Sequence, residues 1–172
     1  MQASPLFPQP NGPVKAEELL YSWRRECAAL PSVQAMTSTT EASLLTVLQH
    51  ILAESGDVNV DHQDVWEVLA GATSLQFGMT TAEGYNRAKV AGEQLWANLF
   101  VLGDAALPPH RILLAIQSGM DVELEMDELT EIVENVLRQT GEQAEVVFGH
   151  GLNPALSESI QVLLLVARTK SA

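Results

Sequence analysis

Two nearly unbroken apolar runs, Ile112 to Ile116 and Val162 to Ala167, constrain this chain more than anything else in it. Neither approaches the roughly 20 apolar residues needed to span a bilayer, so no membrane insertion is expected. Short runs without polar alternation predict strands buried on both faces, here Arg111 to Gln117 and Ile160 to Arg168. Thr73 to Met79 and Glu145 to Gly149 supply two further strands. From Val65 onward the order reads helix, strand, helix, strand, helix, strand, strand, which predicts one sheet with helices packed on it.

The covering helices show in the apolar spacing. Leu19, Leu20, Trp23, Cys27 and Leu30 recur at helical intervals and stop before Pro31, predicting a short amphipathic helix whose stripe must cover something. Ser38 with Glu41 three residues on reads as a capping box. The helix it opens carries Leu44, Leu45, Val47, Leu48, Ile51 and Leu52 and stops near Gly56. Val65, Trp66, Val68 and Leu69 mark another, ended by Gly71, and Tyr85, Ala88, Leu95 and Leu99 mark the next. Asp127 opens the last, with acids at the positive end of its dipole and Leu129, Ile132, Val133, Val136 and Leu137 on one face before Gly141. Residues 1 to 14, with four prolines and little to pack, read as a disordered tail.

At 172 residues and 47% apolar content the chain has material for one core. A net charge of -13, with nine Lys and Arg, excludes the basic footprint that nucleic acid or an anionic membrane requires. The lone cysteine, Cys27, permits no internal disulfide, and no charged-then-apolar leader opens the chain, so a cytoplasmic setting is expected. Cys27 follows Arg24 and Arg25, which would activate a thiol they faced; its place on the apolar stripe predicts inert packing instead. His50, His110 and His150 read as surface or hydrogen-bonded structural residues, and Trp23, Trp66 and Trp96 as core or half-buried anchors.

The segment that carries chemistry is Gly56-Asp57-Val58-Asn59-Val60-Asp61-His62-Gln63-Asp64. The spacing of Asp61 and Asp64 puts both carboxylates on one face of a helical first turn. Read alone, this is an N-cap with an acid at N3, contributing ~1 kcal/mol. His62 lacks the paired His or Cys spacing of a metal site. The whole pattern, Gly-x-x-Asn-x-Asp-x-x-Asp between two helices, resembles the synergy loop of the FtsZ family, the bacterial relatives of tubulin. Gly84-Tyr-Asn86-Arg87-Ala88 is similar to that family's Gly-Glu-x-Arg-Ala helix start, and Arg111 to Gly119 to the strand leading into its glycine turn. Met126-Asp127-Glu128-Leu129, Val146 to Gly149 and Asn153-Pro154-x-Leu156 continue the likeness, which covers roughly residues 42 to 168.

The resemblance implies a two-layer α/β domain with a four-stranded mixed sheet packed by helices, to which the N-terminal amphipathic helix is added. Residues 1–36 would be tail and helix; residues 37–172 would be an FtsZ C-terminal-like domain, with 37–56 as the end of the family's connecting helix. In family filaments the loop reaches the nucleotide of the neighbouring subunit, so by resemblance Asn59, Asp61 and Asp64 would orient water and phosphate in trans. His62 and Gln63 stand where the family carries an apolar aromatic and a small residue.

No Gly-Gly-Gly-Thr-Gly-x-Gly, Gly-x-x-x-x-Gly-Lys-Ser/Thr or Gly-x-Gly-x-x-Gly pattern occurs, and all eleven glycines are isolated. The chain is therefore expected to bind no nucleotide and to be no enzyme by itself, with GTP and magnesium only as a partner subunit supplies them. The leading expectation is an FtsZ-like interaction module of bacterial cell division. It would bind or cap filaments of FtsZ or FtsZ-like subunits through Gly56, Asp57, Asn59, Asp61, His62 and Asp64. The alternatives are completion of a GTPase site in trans, a degenerate paralogue, and a stand-alone homodimer. The upstream helix is expected to dock on Leu44, Leu48 and Ile51, whose exposure would otherwise favour that dimer.

Overall fold

The computed structural model describes residues 15–52 and 60–169; the expectations of a disordered tail and of a helix stop at Gly56 fall outside them. In chain order the elements are α1 (Ala16–Glu26), α2 (Pro31–Gln34), α3 (Ser38–Ile51), α4 (His62–Leu69), β1 (Ser74–Ala82), α5 (Arg87–Ala97), β2 (Phe100–Leu102), β3 (Pro109–Ser118), α6 (Met126–Thr140), β4 (Glu145–Leu152), a 3-10 turn (Pro154–Leu156) and β5 (Ile160–Arg168). The strands form one mixed sheet in the order β2-β1-β5-β3-β4. β5 is antiparallel to both of its neighbours, and β3 is parallel to β4.

All nine residues of β5 are buried, as its apolar run requires. Alternate side chains feed opposite layers. Leu163, Leu165 and Ala167 join α1, α3 and α4 in one core, whereas Val162, Leu164 and Val166 join α5 and α6 in the other. The mixed sheet with packed helices is the expected α/β architecture, with two differences. Helices cover both faces, so the expected two layers become three, and β2 adds a fifth strand to the expected four. β2 is three residues long with Phe100 and Val101 exposed, too short and too little buried to leave a periodic signal.

The amphipathic helix α1 lies on α3, burying Leu19, Leu20 and Trp23 in the same core as Leu44, Leu48 and Ile51. The face whose exposure would have driven dimerisation is therefore covered. The two helices run antiparallel, since Gln49 donates to Glu17 at 2.9 Å at one end and Arg24 pairs with Glu41 at 2.6 Å at the other. That pair also explains a shift in the cap. The Glu41 carboxylate turns to Arg24 instead of back to the helix start, and Thr37, not Ser38, accepts the Thr40 N–H at 3.1 Å. Cys27 faces the core and donates to the Ala72 carbonyl at 3.5 Å. Burial, with the Glu26 charge adding, pushes its thiol up to about 11, so packing and not reactivity is its role.

The opposite layer is pinned by Arg87, 2% exposed at the first position of α5. Its Nε and Nη2 donate to the two Glu128 oxygens at 2.6 and 2.8 Å. Nη1 donates to the carbonyls of Val122 (3.1 Å) and Glu158 (2.8 Å), and Nη2 also to that of Glu123 (3.0 Å). All five guanidinium donors are thus satisfied. Glu128, at N3 of α6, also accepts the Glu125 N–H at 3.1 Å, closing a capping box. The Arg87 hydrogen bonds hold the Glu128 carboxyl below the usual carboxylate range. The stability this contributes is complete above the unfolded value near ~4.3 and is lost as pH falls through the depressed folded value.

Arg87→Leu should therefore cost about 3–5 kcal/mol in urea unfolding, because it strands a carboxylate and three carbonyls, and Arg87→Lys should recover only part of it. In the same assay run from pH 6 down to pH 3, stability of the parent should fall more steeply than that of Glu128→Gln, which has no carboxyl to protonate at this site.

Candidate functional site

The candidate loop enters the described structure at Val60 and continues into α4. Gly56, Asp57 and Asn59 lie outside the described residues; within them the site comprises Asp61, His62 and Asp64 and the groups that hold them. Asp61 is the N-cap of α4, with extended backbone at φ -94° and ψ 174°. Its Oδ1 accepts the Asp64 N–H at 2.9 Å, and Asp64 Oδ2 accepts the Asp61 N–H at 3.1 Å. The two acids form a reciprocal capping box, with Asp at N3 in place of the more usual Glu or Gln. Each spends one carboxylate oxygen on the helix start and keeps the other outside the cap.

Burial raises the Asp64 carboxyl above its ordinary range, the Asp61 N–H bond opposes this, and the negative charge of Asp61 adds to it. His62 is half-buried in the first turn. No group of three or more potential metal ligands is found among the described residues. No helix among them is long and apolar enough to cross a membrane.

Both flanks of residues 53–59 are fixed to the sheet. On the near side, Gln117 Nε2 donates to the carbonyl of His50 at 3.4 Å, and Asn153 Nδ2 donates to Gln117 Oε1 at 3.2 Å. The C-terminal turn of α3 is thereby tied to the ends of β3 and β4. The Asn153 carboxamide oxygen meanwhile accepts the Ala155 N–H at 3.0 Å, opening the 3-10 turn. On the far side, Val60 is buried against β4, where a Cβ on Gly149 would overlap its Cγ2 methyl. A glycine at 149 is thus what lets the residue before Asp61 seat on the sheet. The C-terminal end of α4 is fixed by Arg111 Nη1, which donates to the Glu67 carbonyl.

Sequence reasoning placed Asp61 and Asp64 correctly at a helix start but missed Val60, Gln117 and the two roles of Asn153. Their only signals were the glycine in β4 and polar residues at the ends of apolar strands. The histidines behave as structural groups: His50 Nδ1 lies 2.8 Å from the Thr46 carbonyl, His150 Nε2 lies 3.3 Å from Ser118 Oγ, and His110 is exposed.

Valine is stiff at χ1, so a methyl at 149 cannot be accommodated by simple rotation. Gly149→Ala should cost about 1–3 kcal/mol of stability. Adding Val60→Ala should recover part of that loss, making the two changes non-additive in thermal or urea unfolding.

Comparison with known proteins places these features. The model of the FtsZ family C-terminal domain matches residues 72–170. Cell division protein FtsZ 1 of Pyrococcus abyssi is 30% identical over 139 residues, covering 81% of this chain and 34% of that protein. Cell division protein FtsZ of Coxiella burnetii is 28% identical over 116 residues, covering 67% and 30% respectively. The chain thus spans about a third of the length of these relatives. Among solved structures, the empty FtsZ dimer of M. jannaschii matches with a TM-score of 0.61 at 17% identity, over 88% of this chain and 49% of that one. GDP-bound monomeric CetZ1 of Haloferax volcanii matches at 0.55 and 13%, over 90% and 51%. At such identities these two likenesses concern the fold.

Proposed function

The chain belongs to the FtsZ family, whose C-terminal domain it carries, and from this premise we propose that it binds FtsZ-type subunits in the cytoplasm during cell division and caps their filaments. The observation that carries the reading is the Asp61–Asp64 helix start, presented at one end of the sheet with both flanks of residues 53–59 fixed to it. A head-to-tail filament grows only when each subunit offers two complementary surfaces. On this reading the sequence, which carries none of the glycine-rich phosphate-binding patterns, offers the loop surface alone, and so it occupies an end and stops growth there. The residues that would make the contact are Gly56, Asp57, Asn59, Asp61, His62 and Asp64, and any GTP and magnesium at the junction are the partner subunit's.

The second reading, in which Asn59, Asp61 and Asp64 act on the partner's GTP, would use the carboxylate oxygens outside the cap. The reciprocal cap favours the binding reading, because each acid already holds a backbone amide.

Purified chain added in substoichiometric amounts to polymerising full-length FtsZ should lower the light-scattering plateau, with Asp61→Asn/Asp64→Asn much weaker than the parent. Unchanged scattering at equimolar chain would refute the proposal. GTP turnover followed in the same mixture separates the two readings. Turnover per FtsZ falls if the chain only caps; it rises, and the rise is lost in the doubly substituted chain, if the acids complete a site.

A further inference from the structure

The segments that meet at Arg87 also hold apolar side chains out in solvent. Tyr85 is 100% exposed, Met126 74%, Met120 61% and Val122 44%. Tyr85 stands two residues before Arg87, and Met126 two before the Glu128 that Arg87 binds. Val122 gives its carbonyl to the guanidinium. Met120 precedes Asp121, whose N–H donates to the Ser157 carbonyl at 3.2 Å, beside the Glu158 carbonyl that Arg87 also holds. One buried side chain thus gathers all four at the same end of the α5–α6 layer. Leu124, from the same loop as Met120 and Val122, packs inward against the core, so the loop shows apolar groups on its outer side in addition to those it buries. Side chains left in water contribute nothing to folding.

Around these four stand Glu83, Asp121, Glu123, Glu125, Asp127 and Glu158, all exposed. In residues 83–87, 119–128 and 157–159 the only Lys or Arg is Arg87 itself, which is buried and spent on Glu128 and three carbonyls. An acidic run by itself is a solvated face. Apolar side chains set among the acids make it a contact surface.

The two chemistries together select the occupant. A metal ion needs carboxylates that converge, and no group of three or more potential ligands is found among the described residues. A second copy would bring the same acids and be repelled by them. A small polycation would answer the charge but leave Tyr85, Met120 and Met126 in water. A polypeptide segment that alternates Lys or Arg with apolar residues answers both. Methionine adapts to the shape of such a partner, and Tyr85 offers it a ring for apolar or cation–π contact. The loops that present these side chains are already fixed through their carbonyls, which lowers the ordering cost of binding.

We propose that the surface of Tyr85, Met120, Val122 and Met126, with its acidic rim, docks a basic amphipathic segment of another protein. It uses no residue of the loop 56–64, so it stands or falls independently of filament capping.

The test is fluorescence anisotropy of the full chain with a labelled synthetic peptide of Leu and Lys at helical spacing, in about 0.15 M salt. The peptide should bind, and a peptide with Ser in place of every Leu should bind more than about tenfold more weakly. Met120→Ser/Met126→Ser, which changes no charge, should weaken binding of the Leu/Lys peptide by a similar factor. Tyr85→Ser should act in the same direction and serves if the methionine variant loses its native circular dichroism. Glu123→Gln/Asp127→Asn should weaken binding more than Glu18→Gln/Glu142→Gln, which removes as many charges from other parts of the exposed surface. Absence of binding, equal binding of the Ser-containing peptide, binding that the folded apolar variants leave intact, or equal loss from the two charge-removing pairs overturns the proposal.

Discussion

The guanidinium of Arg87 is the one polar group on which the α5–α6 side of this fold depends. It sits almost wholly out of water, where an uncompensated charge would cost several kcal/mol. All five of its donors are met by one carboxylate and three carbonyls. Those carbonyls belong to the loop after β3 and to the residues just before β5, and the carboxylate belongs to α6. One side chain from α5 therefore fixes how three other segments meet at one end of the sheet. Lysine could supply the charge but not the planar fork that reaches Glu128 with two bonds while addressing carbonyls on either side. The apolar layer of Ile112, Leu114, Ile116, Ile132 and Val136 can then close beneath it without an unsatisfied charge.

The opposite layer depends on coverage instead of charge. α3 presents a face too wide for the sheet alone to hide, since Leu44, Leu48 and Ile51 pack in one cluster with α1, α4 and the strands. α1 completes the enclosure with Leu19, Leu20 and Trp23, each of which contributes about 1.5–3 kcal/mol on leaving water. Its polar contacts with α3, Glu17–Gln49 and Arg24–Glu41, are at the surface and add little beyond fixing direction. The short helix upstream of the family domain is thus a structural part of the core.

What the sequence made legible follows from how each signal arises. β5 and β3 were readable to within a residue or two because burial on both faces leaves an unbroken apolar run, and α6 because its stripe and first-turn acids agree. β2 left no pattern, since a three-residue strand with two exposed residues spans barely one alternation. The cap of α3 moved by one residue because Ser38-Glu41 satisfies the local rule while Arg24, distant in sequence, claims the glutamate. The layer count was underread for a related reason. A strand buried on both faces demands two covers, yet nothing local in Leu19 or Leu44 says which face they cover. At the site, Asp61 and Asp64 were legible from spacing, whereas Val60–Gly149 and His50–Gln117–Asn153 are long-range meetings with no local pattern.

Those long-range meetings bear on what the acidic helix start can do. Asp61 and Asp64 hold each other's backbone amides, and both carry negative charge at the positive end of a short helix, which favours them where they are. Burial nevertheless disfavours the ionised form of Asp64, and Asp61 adds repulsion, so the pair is held together against a residual electrostatic cost. A cationic or hydrogen-bond-donating group approaching the carboxylate oxygens outside the cap would relieve that cost without breaking it. An approaching anion would increase it. The geometry accordingly suits contact with donors on another protein, and it suits contact with a phosphate only if that protein also brings the cations that neutralise it.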